Sequence, residues 1–75
     1  MYARYFRAGE VFARAITAGE NCTVRFFRIE DGVAVPVAGA DCGELHMSGE
    51  DLLARGWEEI SFPEVRRLAH RKLMF

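Results

Sequence analysis

Ala-Gly-Glu stands at residues 8–10 and again at 18–20, and Glu30-Asp31-Gly32 follows at the next interval. Turn-forming triplets at this spacing leave room only for short strands between tight connections. They predict an antiparallel meander with strands over Tyr2–Arg7, Val11–Thr17, Cys22–Ile29 and Val33–Val37. The third segment is β-branched and aromatic almost throughout, the composition that suits a pleated, half-buried surface. Asp31-Gly32 is a hairpin signal ahead of Val-Ala-Val. Pro36 has no N–H to give a ladder, so the fourth strand should lie at an edge or end there. Phe12, Ala15, Ile16 and Gly19 also satisfy helical spacing. The repeated flanking triplets, and the lack of a Ser, Thr, Asp or Asn cap, favour a strand.

The last third reads as helical. Ser48-Gly49-Glu50-Asp51 is a capping box with Asp at its fourth position. Leu52, Leu53, Gly56, Trp57 and Ile60 share one helical arc, and Glu50, Asp51, Arg55, Glu58 and Glu59 the other. Gly56 is the weak point, where the helix could instead end after Arg55. Ser61-Phe62-Pro63-Glu64 begins a second helix, with proline where its missing N–H is harmless. That helix puts Phe62, Val65, Leu68, Ala69 and Leu73 on its apolar arc and Arg66, Arg67, His70 and Arg71 opposite. Neither helix can bury its stripe alone, and the meander needs a cover. The expected fold is therefore α+β: a β-meander of three to four short strands with two C-terminal α-helices packed on one face. Trp57, Leu53 and Ile60 should be buried against Val65, Leu68 and a sheet aromatic.

A chain of 75 residues has room for one domain, which hides only ~60–65% of the surface its unfolded form exposes. The division expected is 1–37 meander, 38–47 Gly-rich connection, in which Glu44–Met47 could add a short strand, and 48–75 helices. Hydrophobic residues at 51% and charged residues at 28% argue against disorder. No apolar run is long enough for a membrane span or a signal-peptide core, and Met1-Tyr2-Ala3-Arg4 reads as a mature cytosolic start. In that compartment Cys22 and Cys42 should be free thiols rather than a bridge. Cys42 and His46 form a close pair, but Cys22 and His70 do not, so no zinc site and no cofactor are expected. No hydrolase elbow, zinc-protease helix, phosphate loop or dinucleotide fingerprint is present, so the chain reads as non-enzymatic.

Charge is unevenly spread. Residues 1–40 carry +1, residues 41–64 carry -6 and residues 65–75 carry +4. Helix N-termini account for Glu50, Asp51 and Glu64, and Arg55 can pair along its helix. Asp41, Glu44 and Glu58 have no such role. A local excess of this size suits a basic partner surface. The candidate partner-binding set is Asp41, Glu44, Glu50, Asp51, Glu58 and Glu59. A second reading is a nucleic-acid-binding module. Arg4-Tyr5-Phe6-Arg7 and Arg25-Phe26-Phe27-Arg28 interleave arginines with aromatics, as base-stacking sheets do, and the last helix is basic. Its residues would be Arg4, Arg25, Arg28, Arg66, Arg67 and Arg71. The bland reading alternates core aromatics with solvated arginines.

With its small size, missing catalytic motif and acidic segment, the chain resembles small phage-encoded inhibitors of the anti-CRISPR type. That resemblance implies a protein of the host cytoplasm. It would occupy or mimic a nucleic-acid site on a partner protein, such as a CRISPR effector subunit.

Overall fold

The computed structural model describes residues 2–37 and 46–73. The elements run β1 (Tyr2–Ala8), β2 (Val11–Ala18), β3 (Asn21–Glu30), β4 (Val33–Pro36), α1 (Gly49–Ala54), β5 (Glu58–Ile60) and α2 (Phe62–Leu68). The fold is α+β, with one five-stranded antiparallel sheet in the order β4-β3-β2-β1-β5.

The turn triplets do what the spacing predicted. Gly9 and Gly19 both have φ of 63°, each followed by a glutamate of ordinary φ, the pattern of a type II′ turn. Asp31 at φ 53° and Gly32 at φ 74° form the double positive-φ pair of a type I′ turn. Two-residue turns fix the register: Ala8 faces Val11, Ala18 faces Asn21 and Glu30 faces Val33. The segment over residues 11–18 is a strand, and β4 ends at Pro36 on the sheet edge.

Both faces of the sheet are apolar, and each has its own cover. Tyr5, Phe12, Phe27 and Ala34 pack with Val65 and Ala69 of the α2 region. Phe6, Ala13, Ala15 and Val24 pack with Leu52 of α1, and with Phe26, Met47 and Trp57 around them. The helices therefore do not share one face as expected. Paired apolar residues in the strands, such as Tyr5-Phe6 and Phe26-Phe27, point to opposite sides, so one layer of helices could not cover them. Small Ala13 and Ala15 leave the relief into which Leu52 and Trp57 fit.

A second correction concerns residues 48–60. Ser48 accepts from the Asp51 N–H and the Asp51 carboxylate accepts from the Ser48 N–H, so the capping box forms. The helix then stops early. Gly56 at φ 91° turns the chain, its N–H and that of Trp57 bonding the Leu53 and Leu52 carbonyls. Glu58–Ile60 joins the sheet as a fifth strand, lying between the two helices in the chain. Of the expected apolar arc only Leu52 is buried, and Leu53 is 43% exposed. Trp57 packs on Phe26 with ring centroids 5.5 Å apart, whereas Ile60 lies on the other face with Tyr5 and Leu68.

Cys22 is a half-buried thiol, its Sγ 3.7 Å from Thr17 Oγ1 on the neighbouring strand. Cys42 and the possible short strand at Glu44 lie outside the described residues. No helix among the described residues is long and apolar enough to cross a membrane.

Candidate binding surfaces: an acidic edge and a basic end

Arg4 organises the acidic edge. Its guanidinium stands over the Phe6 ring at 5.3 Å and forks onto Glu59, with Nε to Oε2 at 2.9 Å and Nη2 to Oε1 at 2.8 Å. Nη1 bonds both oxygens of Glu50, at 3.0 and 2.9 Å. One arginine on β1 thus ties the first turn of α1 to β5. Gly49 makes the approach possible, because a Cβ there would stand 2.7 Å from Arg4 Nη1 and 2.9 Å from Phe6 Cζ. The hydrogen bonds to Glu59 and then Glu50 hold the Arg4 pKa well above its usual range. The same Arg4 hydrogen bonds hold Glu59 below the ordinary carboxylate value. Asp51 is lowered too, first by the Ser48 backbone N–H of the capping box.

The candidate acidic set is therefore brought together only in part. Glu50, Asp51 and Glu59 gather on the α1 side. Glu58 does not join them: on a strand, successive side chains alternate, and its partner across the ladder is Arg7, on the α2 side. A helix would have separated Glu58 and Glu59 by only 100°, which is why they read as one patch in the sequence. Asp51 is engaged in its cap. Asp41 and Glu44 lie outside the described residues.

The alternative arginine set is scattered. Arg4 is engaged by two carboxylates. Arg25 stands opposite Arg14 on the α2 side, whereas Arg28 projects from the other face. Arg66 and Arg67 occupy the last turn of α2. One flat, aromatic-and-arginine platform is not formed, because Phe6, Phe26 and Phe27 all face core elements.

Two concave features were missed. A cleft of about 490 Å³ opens at the hairpin end of the sheet, lined by the apolar Phe12, Ile29 and Leu68 together with Arg7 and Glu10. Arg7 stacks over Phe12 at 5.1 Å and donates from Nε to Gly9 O. A smaller cleft of about 290 Å³ lies beside the end of α2, lined by Arg66, Ala69, His70, Arg71, Lys72 and Leu73. The basic run at 66–72 was the sequence signal for this cleft; its concavity was not legible.

The two charged regions occupy opposite edges. α1 and β5 carry the carboxylates at one edge, and residues 71–72 bond to β4 at the other. α2 spans between them, from Phe62 against Tyr5 to Ala69 beside Ala34. Among the described residues, no three His, Cys, Asp or Glu gather as metal ligands do. No protein-family profile matches the chain, and no curated protein and no solved structure is significantly similar to it.

Proposed function

We propose that this chain is a non-enzymatic protein-binding domain that docks its α1–β5 edge on a basic surface of another protein. In the manner of small phage-encoded inhibitors, it would occupy a nucleic-acid-binding surface of that partner. The observation that carries the reading is the Arg4 fork, which holds Glu50 and Glu59 in fixed positions at one edge while the C-terminal cations lie at the other. Preorganised carboxylates lose little side-chain freedom on docking. A basic surface that meets them is steered by the charge separation across the molecule.

The test measures displacement of labelled target DNA from purified CRISPR effector complexes by anisotropy. The chain should displace DNA from a responsive complex. Glu50→Gln with Glu59→Gln should weaken displacement about tenfold or more, with the fold checked by Trp57 emission. Arg66→Gln with Arg67→Gln should leave it unchanged. Equal potency of the carboxylate variant, or no displacement from any complex, would reject this reading.

A further inference from the structure

The segment that follows α2 is clamped onto the β3–β4 turn. Gly32 O accepts from the Arg71 N–H at 2.7 Å and from the Lys72 N–H at 3.1 Å. The Ala34 N–H donates to Lys72 O at 2.6 Å, and Arg71 Nη1 donates to Asp31 O at 3.4 Å. His70 rests on Gly32: a Cβ at position 32 would stand 2.6 Å from its Nε2 and 2.8 Å from its Cε1. The absent side chain is the seat of the imidazole. Gly32 therefore serves twice, once for its positive φ and once for this close approach.

These contacts hold the backbone of Arg71 and Lys72 and seat His70 at the 290 Å³ cleft, which Arg66, Ala69 and Leu73 also line. No carboxylate lines it among the described residues. The helix dipole accounts for Arg66 in the last turn of α2. It does not account for Arg71 and Lys72, which lie beyond the helix and are drawn in by the clamp. Like charges that line one concave site repel one another, and a bound anion relieves that repulsion.

We propose that this cleft binds the phosphate group of a small phosphomonoester. Three positive charges and an imidazole lining one cleft suit a dianion better than a single carboxylate. Arginine forks match the spacing of phosphate oxygens, and Lys72 adds a point charge. The cleft lies at the lower bound of ligand sites, roughly 300 Å³, so it suits a small molecule. Glu30 and Asp31 on the clamped hairpin stand against a polyanion on that side. The site is separate from the acidic edge and does not depend on it.

The experiment titrates the full chain with inorganic phosphate, and separately with adenosine 5′-monophosphate, while amide resonances are followed at low salt and neutral pH. Saturable shifts are expected at Gly32, His70, Arg71 and Lys72 with both probes. Arg71→Gln with Lys72→Gln should weaken binding about tenfold or more without loss of spectral dispersion. If that pair unfolds the chain, Arg66→Gln, which touches no clamp contact, should still weaken it about threefold. Shifts that fail to saturate, that appear equally at Arg7 and Arg55, or that persist undiminished in the variants would overturn the proposal. A short single-stranded oligonucleotide binding about a hundredfold tighter than the nucleotide, with steep salt dependence, would overturn it in favour of nucleic acid.

Discussion

Two glycines near α1 are required for different physical reasons, and a single substitution at each separates them. Gly49 has an ordinary backbone but no room, because Arg4 and Phe6 close over it. Gly49→Ala should cost about 1–3 kcal/mol through overpacking, and should also loosen the Arg4 fork. Gly56 has room, since nothing lies within 4 Å of where a Cβ would stand, but its φ is 91°. Gly56→Ala should cost about 1–3 kcal/mol through backbone strain, and leave the fork intact. Urea unfolding measures both costs. The pH dependence of stability tells them apart. Glu59 is held below its ordinary value of 4.5 by Arg4, and Asp51 below 3.8 by its cap. A carboxyl whose folded pKa is depressed stabilises above its unfolded pKa, and that contribution is lost as pH falls through the folded pKa. Stability should therefore fall as pH drops below about 4.5. Glu59→Gln should make that decline shallower, Gly49→Ala should do so in part, and Gly56→Ala should not.

At the scale of elements, the meander was legible because its signals are local. Each two-residue turn carries its own glycine, and each turn sets the register of the strands beside it. The region from Leu52 to Ile60 was not, because its apolar residues satisfy a helical period and also serve a short helix, a turn and a strand. Gly56 ends the helix, as its place in the sequence allowed, and the chain then continues as a strand because β1 offers Glu58–Ile60 a ladder and the Phe26 ring receives Trp57. The stop at Gly56 was an open alternative in the sequence; the ladder and the aromatic seat beyond it are not visible in the local pattern. The covering of both sheet faces was not read, although adjacent aromatics such as Phe26-Phe27, which must point opposite ways, carried the signal for it. The candidate acidic site was legible in composition but not in grouping, since placing Glu58 beside or away from Glu59 depends on that helix-or-strand choice. Trp57 tests the revised arrangement. It is half-buried rather than enclosed, so Trp57→Ala should cost about 2 kcal/mol, less than the ~3–5 kcal/mol of a fully buried aromatic. Phe26→Leu should shift Trp57 emission, whereas Ile60→Val, on the opposite face, should not.

For the whole molecule, the hairpin registers decide what the sheet can still do at its margins. Glu30 and Val33 close the last hairpin, so alternation turns Ala34 and Pro36 away from β3. The Ala34 N–H is already given to Lys72, and Pro36 has none. The β4 margin thus presents no spare N–H among the described residues. On β5, Glu58 and Ile60 turn toward β1 through Arg7 and Tyr5, which leaves both backbone groups of Glu59 facing outward. Like-charged Glu59 side chains would oppose one another if two copies met there, which guards an exposed margin against self-pairing. Removing that guard with Glu58→Thr and Glu59→Thr should permit association, read by sedimentation at neutral pH. A fibre needs two sticky margins on every copy, and the clamp on Gly32 has closed one of them. Two chains that zip together at β5 then offer a third, among the described residues, no second margin with a spare N–H, so growth by this route stops at a pair.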